Sequence, residues 1–134
     1  MRKRGLFLSA GMLVLVAILH FFAIRYFIYW RFWWSDTIIH FLSGLSVAAA
    51  SYWLIVGLSE RFQTVLWNKK RSLLSILIIV IISVLWEYFE MYYGISSVSH
   101  RGYWLDSAKD MCSAVLGGFV ALLLFNNWKK NEQK

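Results

Sequence analysis

The sequence predicts an all-α fold, a four-transmembrane-helix antiparallel bundle with its N- and C-termini cytoplasmic. Three observations predict it. Of 134 residues, 60% are hydrophobic and 19% aromatic, against 16% charged, too little polar surface to cover a water-soluble globule. Four apolar runs are each long enough, at about 1.5 Å per residue, to cross a hydrocarbon core of about 30 Å. The basic residues gather at the ends of these runs, the pattern of a topology signal.

The first run, Leu6 to Ile24, follows Arg2, Lys3 and Arg4. It is too long for the core of a secretory signal and no A-x-A-like cleavage site follows, so it reads as a retained helix. The aromatic cluster from Tyr26 to Trp34 comes next and suits an outer membrane interface, where amphipathic rings prefer the headgroup region. The second run, Thr37 to Leu58, leads into Arg61, Lys69, Lys70 and Arg71. The third covers Ser72 to Tyr93 and the fourth Leu105 to Phe125, before Lys129, Lys130 and Lys134. Trp67 and Trp128 mark the inner interface. Proline is absent, so long straight helices are expected. The connections are about a dozen residues each, too short for a soluble domain and suited to antiparallel neighbours. Residues 1–134 therefore read as a single integral membrane domain.

Most of the 14 lysines and arginines fall at the two termini and in the loop after the second run. The positive-inside rule then predicts a multi-pass protein of the cytoplasmic (inner) membrane, N-in and C-in. The net charge of +7 raises nucleic acid as a partner, but this placement of the charges excludes a nucleic-acid patch. Cys112, the single cysteine, can form neither an internal disulfide nor a CxxC-type zinc site.

The seven acids carry the functional signal. In this topology Asp36, Glu87, Glu90, Asp106 and Asp110 fall on the outer half, leaving Glu60 and Glu132 inside. Asp36 and His40 are four apart, Glu87 and Glu90 three, Asp106 and Asp110 four, so each pair shares a helix face. Glu87 and Asp110 each lie about 7 to 9 Å below the outer boundary. The same stripes continue through small or polar residues: Ser43, Gly44 and Ala48; Ser83; Ser113, Gly117 and Gly118. Such residues let helices approach closely, so the stripes are expected to face one another around a polar pocket open to the outside. Asp36, before Thr37, and Asp106, before Ser107, look like helix N-caps at its rim, with Arg101 nearby. His40, Glu87, Glu90 and Asp110 are the pocket candidates, expected to converge within about 8 Å, because charges facing lipid are costly. Interhelical hydrogen bonds, or pairing with Arg25, Arg101 or Lys109, are the structural alternative. His20, isolated on an apolar helix, reads as a satisfied buried histidine.

In linear order the polar residues form Asp36-x-x-x-His40-Phe41-x-x-Gly44, then Trp86-Glu87-x-x-Glu90, then Asp106-x-x-x-Asp110-x-x-x-Ala114-x-x-Gly117. This order resembles the VanZ-like family and the related YjdF-like bacterial inner-membrane proteins, the Trp-Glu block being closer to the YjdF-like branch. The similarity covers about ninety residues, helices two to four. The family's last block carries an asparagine where this chain has Ala114. The resemblance implies the architecture and, through the VanZ-like name, reduced susceptibility to the glycopeptide teicoplanin.

Carboxylates with one histidine suit a divalent metal ion, with His40, Glu87, Glu90 and Asp110 as candidate ligands able to hold a phosphate headgroup or activate a water. Without a metal, a carboxyl tuned by burial can act as a general acid or base. No nucleophile motif, phosphate-binding glycine loop or HExxH accompanies them. The expected role is therefore binding of a membrane lipid or lipid-linked envelope precursor. A proton- or cation-coupled transporter component and a purely structural accessory protein are the alternatives.

Overall fold

A computed structural model describes residues 2–62, 68–95 and 102–132. Five helices follow one another: α1 (Arg2–Arg25), α2 (Ile28–Arg31), α3 (Ser35–Arg61), α4 (Asn68–Tyr93) and α5 (Tyr103–Glu132). All except α2 are long and apolar enough to cross a membrane. Each long helix matches one apolar run of the sequence. They extend beyond those runs because backbone hydrogen bonding continues into the polar flanks, as where α5 passes Phe125.

Two left-handed residues set the ends of the helices near the acids. Gly94, at φ 63°, follows α4; its N–H bonds to the Met91 carbonyl and that of Ile95 to the Glu90 carbonyl. This paired closure satisfies the last carbonyls of the helix, and glycine adopts the required backbone without a Cβ clash. Phe27, at φ 57°, turns the chain from α1 into α2 at a conformational cost of about 1–3 kcal/mol. In return the buried Tyr29 of α2 reaches back to α1, where its hydroxyl and His20 Nδ1 share a hydrogen bond of 2.6 Å.

α3 is the hub, packing against α1, α4 and α5, while α4 also packs against α5. Chain neighbours are antiparallel, as the sequence predicts: Arg71 at the start of α4 donates to Ser59 near the end of α3. The most extensive packing joins α3 to α5, two parallel helices that are not neighbours in sequence. A Cβ added at Gly44 would collide with the Ala114 carbonyl, and one at Gly117 with the Phe41 carbonyl. Glycine at both positions thus sets the distance between the two backbones. Ser113 Oγ donates to the Thr37 carbonyl across the seam at 2.7 Å. Further along, Tyr52 stacks on Phe125, and both lie against a core that includes Ala48, Val56, Ile79 and Leu122.

The outside is oily. Phe7 and Phe21 on α1, Leu54 on α3, Leu77 and Leu85 on α4 and Leu124 on α5 are all exposed, an apolar surface broader than water tolerates and suited to hydrocarbon. α1, apolar all round, approaches α3 but not the backbone of α4 or α5 among the described residues. It meets α4 through one edge-on ring contact, His20 with Trp86 at 4.9 Å.

Candidate functional site

The acids gather at one end of the bundle, formed by the start of α3, the end of α4 and the start of α5. Ligating atoms of His40, Glu87 and Asp110 all lie within 4.8 Å of one another, and so do those of Asp36, His40 and Glu90. Within the same limit Asp36, Asp106 and Asp110 form a third group. The four pocket candidates are therefore brought together around His40, and Asp36 joins them.

The spacing in the sequence explains each placement. Four residues apart on α3, Asp36 and His40 share a face, with Asp36 Oδ1 3.5 Å from His40 Nε2. On α4, Trp86 and Glu90 share another, and the indole N–H donates to Glu90 Oε1 at 2.7 Å. At the start of α5, Lys109 pairs with Asp106 at 2.5 Å and lies 3.6 Å from Asp110. Thr37 Oγ1 donates weakly to Asp110 Oδ1 at 3.4 Å. The Tyr103 hydroxyl donates to the Glu87 backbone carbonyl at 2.8 Å, fixing the end of α4 against α5.

Two expectations need correction. Asp36 and Asp106 do not cap their helices. α3 begins at Ser35 after Trp34, which makes no side-chain cap, and Ser35 Oγ bonds back to the Phe32 carbonyl. α5 begins at Tyr103, and the Asp106 N–H already bonds to the Gly102 carbonyl. Both acids lie inside a first turn, where the helix dipole favours negative charge, and their carboxylates meet Lys109 and His40 instead of a cap N–H. Of the expected cationic partners, Lys109 alone pairs with acids among the described residues. Arg25 lies against the Tyr26 ring, and Arg101 lies outside the described residues, as do Trp67 and the side chain of Trp128.

His20 is satisfied, as its isolation suggests, but by Tyr29, which the sequence reading places in an interfacial belt. Burial pushes the Tyr29 phenol above its ordinary range, so it stays neutral. Nothing in the spacing announces this pair, because it depends on the turn at Phe27.

Glu87 is the uncompensated member of the cluster. It is 9% exposed, and its Oε1 is buried without a hydrogen-bond partner. Such an atom carries the full cost of leaving water, about 1–3 kcal/mol or more when charged.

Beside the cluster, a cavity of about 250 Å³ lies between α1, α3 and α4. Its walls are mostly apolar, including Leu13, Val16, Ala17, Val47, Ile79 and Ile82, and His20, His40 and Trp86 supply the polar part. His40 belongs to both the cavity and the cluster. Ala114 also lines the cavity, whereas its neighbour Ser113 donates to the Thr37 carbonyl.

No curated protein and no solved structure matches the chain. Residues 7–131, which take in all four long helices nearly end to end, match the family described as "Predicted membrane protein (DUF2238)". Four spans, a lipid-compatible exterior and a match over nearly the whole length agree: this is a membrane protein, and the chain belongs to the DUF2238 family.

Proposed function

We propose that this protein, akin to the VanZ-like and YjdF-like proteins, binds a lipid or lipid-linked cell-envelope molecule in the cytoplasmic membrane. One apolar chain lies in the cavity between α1, α3 and α4, and the headgroup lies at the acid and histidine cluster. The observation that carries this reading is the sharing of His40 between cavity and cluster. The cavity, about 250 Å³, is smaller than the roughly 300–1,000 Å³ of ordinary small-molecule pockets. It suits a segment of one chain rather than a whole molecule. The gap between the α1 and α4 backbones supplies lateral access from the bilayer, and the apolar walls match a hydrocarbon chain.

The basic flanks support an orientation with both termini in the cytoplasm and the cluster facing outward. Fusions test this: a C-terminal reporter should be active only in its cytoplasmic-sensing form, and a reporter joined between α4 and α5 only in its external-sensing form. Binding is favoured over transport. Beyond the cluster, residues 41–59, 72–86 and 111–127 carry no Asp, Glu, His, Lys or Arg, and Ser46, Ser51 and Ser75 bond back to their own helices, so no relay of ionisable groups continues from it.

The lipid reading is tested in vesicles containing phosphatidylglycerol with a diazirine midway along one acyl chain. Photolabel should concentrate on the cavity walls, residues 13–20, 39–47 and 79–86, and Ala17→Trp should lower it at least threefold. Uniform labelling of Leu85, Leu124 and the cavity, or no response to Ala17→Trp, would refute it.

A further inference from the structure

Of the three groups that come within ligating distance, two already have internal partners. In the Asp36, Asp106 and Asp110 group, Lys109 supplies a cation to both Asp106 and Asp110. In the Asp36, His40 and Glu90 group, Asp36 faces the imidazole and Glu90 Oε1 accepts the Trp86 N–H. The His40, Glu87 and Asp110 group shares Lys109 and Asp36 as neighbours and differs from the other two in Glu87. All three residues are buried, at 6%, 9% and 2% exposure, and Glu87 Oε1 has no hydrogen-bond partner among the described residues.

We infer that His40, Glu87 and Asp110 form a binding site for a first-row divalent metal ion, Mn²⁺, Fe²⁺ or Zn²⁺. Two carboxylates and a neutral imidazole carry a charge of minus two, which one such ion neutralises. Imidazole favours these ions over Ca²⁺ and Mg²⁺, which take all-oxygen sets and keep more water. The candidate atoms lie within 4.8 Å of one another. Bonds of about 2.0–2.2 Å in tetrahedral geometry place ligands about 3.4 Å apart, a contraction that side-chain rotation supplies. Asp36 lies 3.5 Å from His40 Nε2, so with Nδ1 on the ion it would be the carboxylate partner that orients the ring and raises its basicity. Three protein ligands leave a position open for an oxygen of another molecule.

The inference deepens the lipid reading, because an acidic cluster repels a bare phosphate and a bound ion reverses that sign. It is tested without lipid, so the two can fail separately. The full chain, carrying a tag without histidines and stripped of metal with chelator in detergent, is titrated with Mn²⁺, Zn²⁺ and Ca²⁺ by calorimetry. Co²⁺ absorption reads the ligand set. The expected result is one saturable Mn²⁺ or Zn²⁺ site per chain, at least tenfold tighter than Ca²⁺, with a Co²⁺ spectrum that includes nitrogen. Glu87→Gln should weaken it at least tenfold, while Glu60→Gln, at the far end of α3, should leave it unchanged. If Glu87→Gln is not monodisperse, Asp110→Asn and His40→Gln carry the comparison, and the wild-type titration decides by itself whether a site exists. No saturable binding in wild type would overturn the inference. So would equal affinity in wild type and in every folded variant of the three residues.

Discussion

Two sides of α3 behave in opposite ways. Toward α5, small residues remove space: Gly44 and Gly117 bring the backbones close enough that a single Cβ would strike a carbonyl. Toward α1 and α4, Ser43 and Val47 face an open cavity instead. What differs is the partner. α5 answers with its own small residues, whereas α1 faces the cavity with Leu13, Val16 and Ala17 and its backbone stays away from that of α4 among the described residues. Small residues make a seam where the backbones of both helices come together, and line a pocket where the opposite backbone stays away.

The largest expected effect lies on the seam. Gly44→Leu should cost about 3 kcal/mol or more, since overpacking here meets backbone rather than a movable side chain, and should abolish the monodisperse peak on size-exclusion chromatography. A clean, stable Gly44→Leu protein would mean that α3 and α5 are not apposed in this way. Next, Ser113→Ala should lower stability by about 1 kcal/mol, because it removes the bond across the seam to the Thr37 carbonyl, which lies within the α3 helix, as read from the thermal midpoint in detergent.

That much of the seam was legible in the sequence, in the stripe of Gly44, Ser113, Gly117 and Gly118. The four long helices were legible too, because hydrocarbon demands apolar runs of fixed length, and so was the convergence of acids spaced three or four apart. The dominance of the α3–α5 contact was not, since the stripes announce that three helices meet and not which pair packs most extensively. The capping expectation for Asp36 and Asp106 failed because Ser-Asp-Thr and Asp-Ser look like helix starts, whereas the helices begin before them. Tyr29 against His20 was hidden, as one aromatic among many in a belt whose backbone turn depends on a left-handed phenylalanine.

On the cavity side the effects should be smaller. Tyr29→Phe should cost about 1 kcal/mol by removing the hydrogen bond to His20, again read from the thermal midpoint. A loss above about 3 kcal/mol would make α2 part of the structural core rather than a cover near the cavity. Ala17→Trp should change stability by less than about 1 kcal/mol, since it fills open space, while removing lipid labelling. Smallest of all, Leu85→Val on the lipid face should stay within about 0.5 kcal/mol. A larger loss there would reveal a protein partner covering that face of α4.

The central claim is that cavity and cluster act on one molecule, chain in one and headgroup in the other. Linkage makes this measurable, because two ligands that meet in one site change each other's affinity by the same factor. The direct measurement is the dissociation constant of lysophosphatidylglycerol for metal-stripped protein with and without saturating Mn²⁺. Binding should be at least tenfold tighter with Mn²⁺, a gain abolished by Glu87→Gln. Equal affinity in both conditions, with lipid and metal each bound, would contradict it.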